Sequence, residues 1–344
     1  MWKNTLLRTI VHTVKPRSLS TTPNSFLIVS TTGLGDTLWA TAPLRTLREA
    51  FPDAYVGCLT SSVGAEVLRG NPHLSEIFVM KNALSACSLF AAIKKKKIET
   101  ALIFHASQRT PLPLCVAAGI ERVIGTRGLQ KGLDDLLTDA CPWTTGHEIE
   151  RRMELIKKVG GRPSSYEMEF FIQEEDRQAA RQLVPEPFAI GLHPGAKDRF
   201  KQWPAKHFIR VGQTLRAQLG CTIVVTGSPS EASLVFSICA HIPGSRPIIA
   251  PLYHTAAVLE KLALFITNDT GPLHLALAMK TKTLSLFVPT DPAMCGPYHT
   301  AGEVLKSRPT CFPCLKKKCQ DPFCLQQIGP DRVIAAALKS LGSP

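Results

Sequence analysis

The chain has 344 residues, enough for two domains that each bury a full core. Hydrophobic residues at 44% against 19% charged exclude a disordered or fibrous chain, and no apolar run approaches the roughly 18 residues that span a bilayer. Forty Lys and Arg against 27 Asp and Glu leave a net charge of +13, which favours phosphate-rich ligands or anionic surfaces and says nothing about fold.

Residues 1–24 stand apart as a basic amphipathic extension. Trp2, Leu6, Leu7, Ile10, Val11 and Val14 recur at helical spacing beside Lys3, Arg8, Lys15 and Arg17. An interfacial anchor on an anionic membrane, an organellar transit peptide and a frayed tail are all compatible with that pattern. A long apolar core and a small-residue cleavage site are both missing, so no secretory signal peptide is expected there.

The first buried parallel strand is predicted at 26–30, followed by the turn TTGLGD at 31–36 and a helical stretch to Ala50. Further strands are predicted at 54–59, 77–79 and 100–104, with helices between them. This alternation reads as a doubly wound α/β domain over 25–165. The breakers GGRPSS at 160–165 and VPEP at 184–187 flank a charged helix at 174–183, so 166–187 is taken as a linker. A second α/β cycle fills 188–344. Its strands are predicted at 188–192, 222–226, 247–250, 264–267 and 283–288, and its helices at 204–219, 231–240, 255–261 and 272–279. Two such domains place a ligand cleft between them at the carboxyl ends of the strands.

Three strand-to-helix turns carry polar groups suited to chemistry. At 31–36, Gly33 and Gly35 let backbone approach a ligand, and Asp36 reads either as the helix N-cap or as a carboxylate that takes a proton from a hydroxyl. The turn is neither a phosphate-binding P-loop nor a full dinucleotide fingerprint. The second turn, LHPGA at 192–196, contains Gly195 and leads to Lys197, Arg199 and Lys201 just before a helix. Cations there oppose the helix dipole unless an anion lies between them, and a phosphate would resolve the conflict. The alternative is a solvated basic loop. The third turn, TNDTGPLH at 267–274, offers Asp269 or Thr270 as a cap and free N–H groups beyond Gly271 for a diphosphate, with His274 in the first helical turn.

Of the eleven cysteines, Cys311, Cys314, Cys319 and Cys324 cluster as C-x2-C-x4-C-x4-C around three lysines. Structural zinc or an iron–sulfur cluster, redox-sensitive disulfides and free thiols are the readings of that segment, 311–324. A reducing compartment suits the remaining scattered cysteines better than a disulfide framework. Two other function classes need weighing. An NAD-linked Rossmann enzyme would want a fuller glycine fingerprint than Gly33 and Gly35, although Glu49 and Asp53 stand at workable distances. A basic nucleic-acid-binding protein is suggested by the net charge and the lysine run at 94–97, a run that also suits a helix end, and no nucleic-acid partner is expected.

The segments LIVSTTGLGDTLWATAPLRTLREAFP, HPGAKDRFKQWPAKHF, NDTGPLHLALAM and LFVPTDPAMCGPY closely resemble the ADP-heptose:lipopolysaccharide heptosyltransferases of glycosyltransferase family 9. The resemblance covers roughly residues 25 to 340, and the cysteine-rich segment is similar to the tail of many members. It implies a GT-B fold, two Rossmann-like domains facing across a cleft, and an inverting, metal-independent transferase. By that resemblance Asp36 matches the general base and Lys201 the phosphate-binding lysine, while Asp269, Thr270, Gly271, His274 and Gly195 bind the donor. Gly33 and Gly35 then lie on the acceptor side. The implied partners are an ADP-sugar donor, a lipid-linked sugar acceptor and the anionic cytoplasmic face of the inner membrane, with no cofactor needed for catalysis. Ala196 and Lys197 depart from the family's usual Thr or Ser, so part of the phosphate contact must differ.

Overall fold

The structure is a computed structural model and describes residues 23–82, 85–106, 108–288, 290–307 and 323–342. The extension over 1–22 and Cys311, Cys314 and Cys319 lie outside the described residues. The chain divides into two units, Met1–Phe170 and Phe171–Pro344.

In the first unit, strands β1 (Ser25–Thr31), β2 (Tyr55–Thr60), β3 (Glu76–Val79), β4 (Thr100–Ala106), β5 (Arg122–Thr126) and β6 (Asp139–Cys141) form one parallel sheet in the order β3-β2-β1-β4-β5-β6. β1 is buried along almost its whole length, which explains its uninterrupted apolar run FLIV. The strand order reverses between β1 and β4, the switch point at which ligands of such folds bind. There the pairing slips: Val29 faces Ile103, but Ser30 faces His105. The extra residue, Phe104, is a bulge that re-aims the end of β4. Helix Thr41–Ala50 turns Ala42, Leu44 and Leu47 inward, each large aliphatic contributing about 1.5–3 kcal/mol by burial.

The second unit repeats this plan with β7 (Ala189–His193), β8 (Thr222–Thr226), β9 (Arg246–Ile248), β10 (Leu264–Asn268), β11 (Thr283–Phe287) and β12 (Gly302–Lys306), ordered β12-β11-β10-β7-β8-β9. The switch point falls between β7 and β10, whose C-terminal turns are the second and third turns singled out in the sequence. Helix Ala205–Leu219 packs Phe208, Val211 and Leu215 on the sheet and ends at Gly220, whose φ of 64° is the left-handed conformation glycine adopts freely. Trp203 is buried in the same core and donates from Nε1 to the Ile328 carbonyl at 2.9 Å.

The charged helix expected inside the linker is present as Glu174–Leu183 and packs within the second unit. Arg177 forks onto Glu260 at 2.8 and 3.1 Å, on helix Leu252–Lys261. β5, β6, β12 and helix Pro330–Ser340 were not anticipated. β6 is only three residues long, and β12 carries Glu303 and Lys306, so neither shows an apolar run. Among the described residues, no helix is long and apolar enough to cross a membrane.

Candidate functional site

In the first unit, the turn after β1 opens helix Leu34–Leu38. Gly33 is its N-cap, in extended conformation, and no side chain caps it. The capping reading of Asp36 is therefore corrected: the helix starts three residues earlier, and Asp36 sits inside its first turn. The turn is tied down by other groups. Thr37 Oγ1 donates to the Gly33 carbonyl at 2.9 Å, and Ser61 Oγ donates to that of Thr32 at 2.6 Å. Nothing lies within 4 Å of where a Cβ on Gly33 would stand, so the space beside that backbone is open.

The Asp36 side chain is 32% exposed, and Arg152 Nη2 lies 3.5 Å from its Oδ1. The Arg152 guanidinium is only 1% exposed. Burial pulls its pKa down to about 10, against the pull of Asp36, and it stays protonated at neutral pH. His105, re-aimed by the bulge in β4, shares the field of Asp36. Burial lowers its pKa, and Arg152, Lys131 and Arg151 lower it further, outweighing Asp36, so its imidazole is neutral at pH 7. A carboxylate that is a third exposed thus stands beside a neutral imidazole and a buried guanidinium.

In the second unit, three turns converge through one side chain. Asn268, fully buried at the end of β10, donates from Nδ2 to the carbonyls of Pro194 and Gly195 at 2.9 and 3.2 Å. Its Oδ1 accepts from the Trp203 N–H at 3.1 Å. The amide thus fixes the Gly195 turn and the Lys201 turn relative to β10. Lys201, in the 3-10 turn Arg199–Lys201, reaches Asp269 Oδ2 at 2.6 Å, and Thr290 Oγ1 donates to the same oxygen. Asp269 is 6% exposed and Lys201 19%. Neither Asp269 nor Thr270 caps helix Gly271–Ala278 through its side chain; Thr270 is the N-cap by backbone alone. In this first turn Pro272 has no N–H and the Leu273 N–H donates to the Thr270 carbonyl at 3.1 Å, and Lys201 stands beside the acid that precedes the turn. Gly271 begins this helix and His274 is buried in its first turn.

Gly195 lies against Glu231: a Cβ there would meet the Glu231 carboxylate, the end of a flexible side chain, and displace it. Glu231 was not singled out in the sequence. It follows β8 within the S-x-x-E capping box of 228–231 and accepts from the Ser228 N–H at 2.8 Å and its Oγ at 2.7 Å. His193 ends β7 with Nδ1 3.0 Å from Thr226 Oγ1, and burial keeps its pKa low despite Glu231.

Of the cysteine cluster, only Cys324 is described. It is buried, and its carbonyl accepts from Ser307 Oγ at 2.7 Å. Among the described residues, no group of three or more His, Cys, Asp or Glu could hold a metal ion. Burial pushes the Cys58 and Cys115 thiols up to about 12, so they are inert core residues.

Residues 115–323 match the family model described as Glycosyltransferase family 9 (heptosyltransferase). The chain is 24% identical over 318 residues to Lipooligosaccharide heptosyltransferase 2 of Campylobacter jejuni, covering 89% of this chain and 95% of that one. Among solved structures it is similar to a family 9 glycosyl transferase from Veillonella parvula, with TM-score 0.80, 22% identity and coverage of 95% of this chain and 99% of that one. It is likewise similar to the ADP-heptose lps heptosyltransferase II of E. coli, with TM-score 0.77, 20% identity and coverage of 92% and 98%.

Proposed function

The chain belongs to glycosyltransferase family 9 and is a transferase of the GT-B fold, and from that premise we propose that it moves a heptose or related sugar from an ADP-sugar to an inner-core lipopolysaccharide acceptor, with inversion and without a catalytic metal. The observation that carries the reading is the placement of Lys201 on Asp269 at the opening of helix Gly271–Ala278, at the switch point of the second sheet. Ammonium, the positive end of the helix dipole and a glycine-lined approach at Gly195 together suit a nucleoside diphosphate. Thr270, Gly271 and His274 complete that donor turn. Glu231 stands just after the second strand of its Rossmann unit, where such folds hold an acid against ribose hydroxyls.

Asp36 is the base in this reading. Its carboxylate takes the proton of the acceptor hydroxyl as that oxygen bonds to the anomeric carbon. The bond from that carbon to the diphosphate breaks, and ADP leaves with the electron pair. Lys201 and the helix N-terminus receive the leaving charge. Asp269, the acid nearest the diphosphate, is already engaged by Lys201 and Thr290, which suits a lysine rather than a divalent cation as the partner of the phosphates. The open backbone at Gly33 and Gly35 admits the acceptor.

The test is donor screening on purified protein with ADP-, UDP- and GDP-sugars in EDTA. Transfer from ADP-heptose alone supports the reading. Transfer only from a UDP- or GDP-sugar, or a reaction that EDTA stops and Mg²⁺ restores, overturns it. The lipid-linked acceptor places the enzyme on an anionic membrane surface at the cytoplasmic face, with residues 1–24 aiding attachment. Full-length protein should then sediment with anionic liposomes more strongly than protein lacking 1–24. Cys311, Cys314, Cys319 and Cys324 would brace the tail around one structural zinc or iron–sulfur site, read as about one metal per chain by elemental analysis.

A further inference from the structure

Asp36 and Trp39 are three residues apart on one helical turn and share a face. One guanidinium from the distant helix Glu148–Lys157 lies against both. Arg152 Cζ sits 5.4 Å over the Trp39 ring, and Nη2 sits 3.5 Å from Asp36 Oδ1. The opposite edge of the guanidinium is anchored, with Nη1 donating to the Glu148 carbonyl at 2.8 Å and to Glu148 Oε2 at 2.7 Å. Glu148 Oε1 pairs with Arg151. Trp39 is held in turn by the edge of His147, 6.1 Å away, and His147 caps the helix that carries Arg152 through Nδ1, 3.2 Å from the Ile149 N–H.

In this braced group Arg152 Nε and Nη2 are buried and, among the described residues, have no hydrogen-bond partner. A buried guanidinium with two idle nitrogens is costly, and such groups call for a functional account. Stability alone would favour an apolar side chain in the same volume. Its Nη1 edge is paired with Glu148, and its Nη2 edge is turned to the Asp36 carboxylate oxygen 3.5 Å away.

We propose that Arg152 is a positioning residue for the transfer reaction: its charge, 3.5 Å away and short of a hydrogen bond, draws Oδ1 of Asp36 toward it so that Oδ2 is the oxygen that receives the acceptor proton. The proposal rests on the reading of Asp36 as the base. Trp39 and Glu148 hold the guanidinium plane, and the fixed charge biases the carboxylate to keep one oxygen toward it and the other toward the incoming hydroxyl. Misplacing a reacting group by about 1 Å costs on the order of 10²-fold in rate.

The experiment compares Arg152→Ala, Arg152→Lys and Asp36→Asn in full-length protein, reading kcat, donor KM and melting temperature. We expect Arg152→Ala to lose about 10²-fold in kcat with donor KM held within about twofold, since the donor groups lie in the other unit. Millimolar guanidinium should enter the vacated site and recover at least about tenfold of that rate, with no gain in wild type or Asp36→Asn. Arg152→Lys keeps the charge without the fork and should fall between the two. It also serves if the alanine variant fails to fold. Wild-type kcat in folded Arg152→Lys and Arg152→Ala would overturn the proposal. So would a loss of kcat that guanidinium does not recover and that tracks a fall in melting temperature, since that is bracing only. An inactive Asp36→Asn beside an intact Arg152→Ala removes Arg152 and leaves the base. A fully active Asp36→Asn removes both.

Discussion

The two units carry one acid each in the turn after a central strand, and the two acids are treated in opposite ways. Asp36 follows β1, is a third exposed, and faces a guanidinium that stops short of a hydrogen bond at 3.5 Å. Asp269 follows β10, is nearly buried, and is closed by Lys201 at 2.6 Å and by Thr290. The sheets share one strand order, so the backbone plan does not set this difference. The side chains around each turn do. Asp36 is left reachable, as the proposed exchange of a proton needs, whereas Asp269 is closed in around a cation.

The hardest test of this contrast is Asp36→Asn. Transfer should fall by about 10²-fold or more, since amide cannot take the proton. Melting temperature should barely move, because Asp36 caps nothing and Glu148 still compensates Arg152. ADP binding, measured by calorimetry, should be unchanged. A folded variant with full activity would put the base elsewhere.

Lys201→Ala should show the reverse signature. Asp269 loses its cation while nearly buried, so stability should drop by about 2–3 kcal/mol. ADP affinity should fall about tenfold as the cation beside the diphosphate disappears. Urea unfolding and calorimetry on one preparation read both. A variant of normal stability with weakened ADP binding would mean the ion pair contributes nothing to the fold.

A smaller effect is expected at Gly195. The collision of an alanine Cβ is with the end of a flexible glutamate, which yields. Gly195→Ala should therefore leave the melting temperature within about a degree while displacing Glu231. Loss of roughly one hydrogen bond to the donor, about 1 kcal/mol, predicts a rise of about fivefold in donor KM. Glu231→Gln should give a similar rise. If only the glycine variant does, Glu231 does not touch the donor.

Much of this was legible in the sequence because strand-to-helix turns announce themselves locally. Glycines, a proline at the first helical position and an apolar run before them located all three turns, and the resemblance of those same segments named the family. What escaped depends on segments distant in sequence. Arg152 lies in EIERRMELIK, where it reads as one charge on an amphipathic helix, and only folding puts it against Trp39 and Asp36. Asn268 reads as a loop residue until its amide is seen joining two other turns. The bulge at Phe104 leaves no mark at all, since an apolar strand looks the same with or without an extra residue. Glu231 did leave a signal, the S-x-x-E box, which marks a helix start and is silent about a ligand. Of the two readings of Asp36, the cap fails because Gly33 starts the helix by backbone conformation alone, although Asp is a common cap.

The smallest effect concerns what holds the scaffold behind Asp36. Helix Thr41–Ala50, next along the chain, is clasped by the segment at 165–169. Arg45 Nη1 meets Glu169 Oε1 at 2.6 Å, His73 Nε2 meets Oε2 at 3.0 Å, and the Glu169 N–H donates to Thr41 Oγ1 at 2.9 Å. Burial would raise the Glu169 pKa, but the hydrogen bonds from His73 and Arg45 outweigh it and bring the value below the usual 4.5. A carboxyl whose folded pKa is depressed stabilises the fold fully above its unfolded value, and that stabilisation disappears as pH falls through the folded value. Wild type should therefore melt higher than Glu169→Gln at pH 7, and the two melting curves should approach each other below about pH 4.5. The clasp touches neither Asp36 nor Lys201, so kcat and ADP affinity at pH 7 should match in the two proteins. A Glu169→Gln deficit that persists unchanged to pH 3 would show that the carboxylate charge does not cause it.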